Sequence, residues 1–128
     1  MTDPLIPGIT KAPRPVPSPG SDLEQWWQSV TRNDLEATLP KVAEYGSADL
    51  EVMGAAMIRL HPNHDAMDEG ERKQVGLEMA IAFYLLGKVS RLYGAYQSGG
   101  QPSDDTWLDA SVYSMMGRRV RNSGGWPS

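Results

Sequence analysis

After residue 20, apolar residues return at intervals of three and four, and nowhere do they alternate in twos for more than a few positions. That is the helical period, and it predicts an all-α fold. Ser21-Asp22-Leu23-Glu24 has the form of a capping box and opens a first helix to about Thr31, with Trp26, Trp27 and Val30 as its apolar residues. Trp26 and Trp27 are adjacent and point in different directions, so at least one is expected against the N-terminal arm or a partner. A second, shorter helix is expected from about Asn33 to Tyr45, broken or restarted near Leu39 by Pro40, with Gly46 as its stop. Ser47 then caps a third helix to about Leu60, with Leu50, Met53, Met57 and Leu60 on one face. A polar run, His61-Pro62-Asn63-His64-Asp65, leads to a long fourth helix from about Asp68 to Gln97. Its middle, Met79 to Leu86, is apolar on nearly all sides and marks it as the central helix. Gly99-Gly100-Gln101-Pro102 turns the chain, Ser103 caps a fifth helix to about Arg121, and Asn122-Ser123-Gly124-Gly125 closes it. The expected architecture is a compact bundle of about five helices over residues 21–121 with a four-helix-bundle-like core, followed by a tail over 122–128.

The first twenty residues differ in kind. They hold six prolines, which fix φ and remove donors, so an extended, polyproline-like arm is expected over 1–20, lying on the body or on a neighbouring subunit. The 128 residues suit one domain, and the absence of cysteine removes disulfides, thiolate metal sites and a cysteine nucleophile. No apolar run is long enough for a membrane span, and the N-terminus lacks a basic-then-apolar secretory pattern, so a cytoplasmic protein is expected. A net charge of −4 without a basic stripe argues against an electrostatic grip on nucleic acid. Arg118, Arg119 and Arg121 are read as cations complementing a helix C-terminus. His61 and His64 lack further ligands and are read as loop polarity, and the seven methionines as core filler.

The candidate chemistry comes from carboxylates on apolar faces. At about 100° per residue, Glu78 falls within the stripe of Ile81, Ala82, Leu85, Val89 and Leu92. Asp105 and Asp109 fall among Leu108, Val112, Tyr113 and Met116, and Asp49 lies in line with Met53, Ala56 and Leu60. All four are expected to be buried or nearly so, which is costly for a charge without a partner. Helix-start preference accounts for Asp104 fully and for Asp105 and Asp49 in part. For Glu78 and Asp109, one reading is an ion pair with Lys88 or Arg91. The other is a magnesium site, since Mg²⁺ takes oxygen ligands and bundles build such sites from inward carboxylates. Lys88 and Arg91 would then face phosphate oxygens.

The order Glu44-Tyr45-Gly46, Asp49-Leu50, a long apolar helix ending Lys88-x-x-Arg91-Leu92, then Asp105-x-x-x-Asp109-x-x-x-Tyr113 resembles small phage-encoded members of the MazG-like all-α nucleoside triphosphate pyrophosphohydrolase superfamily, over roughly residues 36–125. The resemblance implies a helical bundle, a dimer or tetramer, Mg²⁺ held by carboxylates of two adjacent helices, and cleavage of a nucleoside triphosphate to monophosphate and pyrophosphate. On that reading Glu78, Asp105 and Asp109, with Asp49, hold the metal, Lys88 and Arg91 neutralise the pyrophosphate, and Tyr45 or Tyr113 contacts the base or sugar. Full members carry Glu-x-x-Glu and Glu-x-x-Asp. Here Glu71 and Glu78 are seven apart and Asp105 and Asp109 four apart, so the motif is thinner and hydrolysis is in question. The competing reading is a non-enzymatic phage assembly or anti-defence protein that uses its arm and Trp26-Trp27 for oligomer contacts.

Overall fold

The computed structural model describes residues 18–127 except Gly46, and the side chains of residues 43–45 fall outside that description. Most of the proline-rich arm, the Gly46 stop and the Tyr45 side chain therefore lie outside the described residues. The described residues are helical with no strand, as the period predicts.

Among the described residues four α-helices form where five helices are expected. Helix α1 runs unbroken over Asp22–Tyr45. Its start is nearly the capping box read from the sequence. Ser21 Oγ accepts the Glu24 N–H at 3.3 Å, and Glu24 Oε2 reaches back to the N–H of Gly20 at 2.9 Å, one residue beyond Ser21. The expected break after Thr31 is absent, and the Thr31 hydroxyl turns back on its own helix, within reach of the carbonyls of Trp27 at 2.8 Å and Gln28 at 3.1 Å. Pro40 also sits inside α1. It is exposed, so water can reach the carbonyl its missing N–H leaves free.

Helix α2 is Ala48–Met57, tightening into a 3₁₀ turn at Ile58–Leu60, and a second 3₁₀ turn forms at His64–Ala66. Ser47 precedes α2 but caps nothing, because its hydroxyl bonds Glu51 Oε1 at 3.3 Å instead of a backbone N–H. Helix α3 is Glu69–Gln97, and the side chain of Asp68 accepts the Glu71 N–H at 2.8 Å. Helix α4 is Asp104–Ser123, with the Ser103 hydroxyl accepting the Thr106 N–H at 3.3 Å and Gly124 at φ 88° ending it.

The chain divides into two units, Met1–Leu35 and Glu36–Ser128. In the second, α2 and α4 each pack on α3, around Leu50, Leu77, Ala80, Ile81, Met116 and Val120. Met53, Met57, Tyr84, Val112, Tyr113 and Trp126 lie against that core. Helices α2 and α3 meet backbone to backbone at Gly54 and Gly76, where a Cβ on Gly76 would stand 2.6 Å from the Gly54 carbonyl oxygen.

The expectation of buried carboxylates is corrected. Among the described residues no charged or polar side chain is buried. Asp49 and Asp105 are exposed, and Glu78 and Asp109 are half-buried. On α3 the covered stripe is Gly76, Leu77, Ala80, Ile81 and Leu92, rotated roughly a quarter turn from the aliphatic stripe that holds Glu78. On α2 the covered residues are Leu50, Gly54 and Ile58, which leaves Asp49 outside and Leu60 81% exposed. No helix among the described residues is long and apolar enough to cross a membrane.

Candidate functional site

Tyr113 stands at the centre of the polar geometry in the second unit. Its ring stacks on that of Tyr84, with centroids 6.0 Å apart and planes 14° from parallel, so α3 and α4 are joined by a flat aromatic pair. Lys88, one turn beyond Tyr84 on α3, places Nζ 5.8 Å from the Tyr113 ring centroid and 3.4 Å from Asp109 Oδ2. The ammonium thus meets a ring face and a carboxylate presented one turn apart by α4. The Lys88 side chain is 19% exposed and that of Asp109 48%, so the pair is sheltered on the lysine side only. Burial raises the Tyr113 phenol above the ordinary tyrosine value, and the Asp109 charge pushes it the same way.

Three cavities adjoin this cluster. The first, ≈ 350 Å³, has an aromatic wall of Tyr84, Tyr113 and Trp126, and its polar rim includes Asp49, Asp109, Lys41, Thr38 and Ser47. Leu50, Val112 and Met116 form part of its floor. The second, ≈ 540 Å³, holds Glu78 with Arg118, Arg121 and Asn122. The third, ≈ 460 Å³, holds Lys88 and Arg91 beside Phe83, Gly87 and Ser90. Tyr113 borders all three.

The residues picked out by sequence are therefore divided. Asp49, Asp109 and Tyr113 meet at the first cavity. Lys88 and Arg91 share the third, although Lys88 also turns to Asp109. Glu78 is on the second, and Asp105 lines none of them. Among the described residues no three histidine or carboxylate side chains gather as a metal would require of an all-protein cage. The alternative given for Asp109, an ion pair with Lys88, is present; Glu78 has none among the described residues. His61 and His64 act within their loop: His61 Nδ1 accepts the Asn63 N–H at 3.0 Å and His64 Nδ1 lies 3.1 Å from Asp65 Oδ1.

Sequence reasoning did not single out Tyr84, Lys41, Thr38 or Trp126 as cavity residues. A signal for Tyr84 was present, since it lies four residues before Lys88 and seven before Arg91, on one row of the helix. Trp126, in what reads as a tail, carried none.

Comparison with protein-family models, with curated proteins and with solved structures finds no match.

Proposed function

We propose that this chain is a MazG-like nucleotide-binding protein whose ligand occupies the cavity between Tyr84, Tyr113, Asp49 and Asp109. The observation that carries the reading is the meeting of Asp49-Leu50 with Asp109 and Tyr113. These come from an early and the last part of the motif order that resembles the superfamily, some sixty residues apart in sequence, and they line one cavity. A volume of ≈ 350 Å³ with mostly apolar walls and a few polar groups is within the range of small-ligand sites. Tyr113, Tyr84 and Trp126 supply flat surfaces for a base, and Lys41 and Lys88 supply cations near the two carboxylates.

Magnesium suits this rim in one form only. Mg²⁺ is commonly held by one or two carboxylates with phosphates and waters completing its shell, so Asp49 and Asp109 would hold it and it would neutralise phosphate charge there. Glu78 and Asp105 are outside that rim and take no part in this reading.

The test is a thermal-shift series with ribo- and deoxyribonucleoside triphosphates in Mg²⁺, on the wild type and on Asp109→Ala and Tyr113→Ala. At least one nucleotide raises Tm in a concentration-dependent way, by an amount equivalent to about 2.7 kcal/mol at a hundredfold excess over Kd, and both variants lose the rise. No shift with any nucleotide, or a shift that both substitutions leave intact, would refute the proposal. Release of pyrophosphate in the same mixtures separates a hydrolase from a binder.

A second reading, a non-enzymatic assembly protein, is favoured by one feature of the first unit. Trp26 and Trp27 pack edge to face at 6.2 Å yet stay 57% and 63% exposed, with Leu23 and Leu35 also more than half exposed.

A further inference from the structure

The chain enters α1 through a tight turn. Ser18-Pro19-Gly20-Ser21 closes with the Ser21 N–H donating to the Ser18 carbonyl at 3.1 Å, and Gly20 has φ 76°. Proline second and a left-handed glycine third is the form of a type II β-turn. Side chains of α1 hold the turn in place. Glu24 Oε2 accepts the Gly20 N–H at 2.9 Å, and Gln25 Nε2 donates to the Gly20 carbonyl at 2.8 Å. A β-turn reverses the chain, so this one directs the preceding segment back alongside α1 instead of away from its N-terminus. Over the same stretch α1 carries an apolar stripe. Leu23, Trp26, Trp27 and Val30 stand at i, i+3, i+4 and i+7, and Leu23, Trp26 and Trp27 are 52%, 57% and 63% exposed.

We infer that this stripe is a docking surface for proline-rich chain, and that its occupant is the molecule's own segment 11–17, lying antiparallel to α1. Extended proline-rich chain docks on aromatic side chains and loses little conformational freedom in doing so. The lengths agree. Such a chain advances about 3.1 Å per residue and a helix about 1.5 Å, so each arm residue passes roughly two residues of α1. Counting back from Ser18 opposite Ser21, Pro17 comes level with Leu23, Pro15 with Trp27 and Pro13 with Thr31. Three prolines therefore span the stripe and end where it ends. Lys11 then comes level with Leu35, beside Asp34, so opposite charges meet at the far end. The arm of another copy could meet the same stripe, but the turn presents this chain's own arm at a much higher effective concentration. Docked this way, the arm covers the tryptophans that favour the assembly reading. The inference is independent of any nucleotide.

The test is paramagnetic broadening in the full chain. The sequence has no cysteine, so a nitroxide can be placed at one site, Ala12→Cys, which by the same count comes level with Asn33. Amide signals of residues 30–35 lose intensity in the labelled chain and regain it when the nitroxide is reduced. A mixture of labelled chain with isotope-enriched, unlabelled chain shows no such loss. Trp26→Ala with Trp27→Ala, both at exposed positions, keeps wild-type helicity and restores most of the intensity. If that pair loses helicity, Pro15→Ser with Pro17→Ser, outside α1, decides in its place. Signals of residues 30–35 untouched by the label overturn the inference and mean that the arm leads elsewhere. A loss in the mixture equal to that in the labelled chain also overturns it, and assigns the stripe to another copy's arm. So does a loss that neither pair of substitutions reduces.

Discussion

The contact of Gly54 with Gly76 gives the sharpest stability test. In Gly76→Ala the new Cβ would lie 2.6 Å from the Gly54 carbonyl oxygen, 3.1 Å from its carbon and 3.3 Å from Ile58 Cβ. Ordinary contact begins near 3.4 Å, and the closest obstacle is helix backbone, which has no rotamer to move. Helices α2 and α3 must separate by roughly 0.7 Å or more, and that loosens Leu50, Ile58 and Leu77 together. Overpacking of this kind costs about 1–3 kcal/mol. Alanine returns about 1 kcal/mol through its better helix propensity, so the net loss is up to about 2 kcal/mol, and Tm falls by roughly 4–8 °C for each kcal/mol lost in a unit of this size. Gly117→Ala is the control. Its Cβ would meet only Ile81 Cγ2, at 3.8 Å, so only the propensity gain remains and Tm rises. Thermal and urea unfolding followed by far-ultraviolet circular dichroism measure both. The double variant Gly54→Ala with Gly76→Ala should cost less than the sum of its parts, because one separation of the helices serves both methyl groups. A Gly76→Ala protein more stable than wild type, as the propensity gain alone would make it, would refute the close crossing.

Two further outcomes follow from the Tyr113 cluster. A double-mutant cycle of Lys88→Met with Asp109→Asn should give a coupling of about 0.5–1 kcal/mol, shrinking as salt is raised, since the carboxylate is half exposed and screened; a coupling unchanged by salt would count against the pairing. Because the folded-state Tyr113 phenol titrates above its unfolded value, the unfolded chain loses its proton first as pH rises, and stability falls from about pH 10 upward. Urea unfolding across that range shows a shallower alkaline loss in Tyr113→Phe, and identical profiles for the two proteins would refute the assignment.

What the sequence made legible depends on which physical term decides. Some helix ends fixed by local hydrogen bonds were readable: Ser103 caps α4 as expected, and Gly124, within the run expected to close it, stops it in the left-handed conformation only glycine adopts freely, whereas Asp68, expected as the first residue of its helix, caps it instead and Ser47 caps nothing. Breaks were less readable, because Thr31 can cap a helix or bond back within one, and exposure makes Pro40 tolerable. The inward face of α3 was missed for a definite reason. Searching for burial by large aliphatic residues selects Ile81, Leu85, Val89 and Leu92, whereas α2 packs where the residues are small, on Gly76 and Ala80. A face that attracts a neighbour by letting it come close leaves little hydrophobic signal. The same one-residue rotation on α2 set Asp49 on the wrong side of the covered line. On α4 the stripe was placed correctly, since Met116 and Val120 are buried and Val112 and Tyr113 pack against the core. Asp105 is nonetheless exposed in the first turn, and only Asp109 of that pair reaches the cavity.

These corrections reshape the functional argument. The sequence suggested four carboxylates around one ion. The fold instead divides them, and the feature joining the candidate residues is aromatic. Tyr113 touches the cavity with Asp49 and Asp109, the cavity with Glu78, and the cavity with Lys88 and Arg91. Lys88 sits across its ring from one cavity to another, held by Asp109 on one side. An anion in either cavity would compete with Asp109 for that ammonium, and a cation beside Asp109 would release it. A ligand in the first cavity would therefore bear on the charge presented to the third through a single side chain, Lys88.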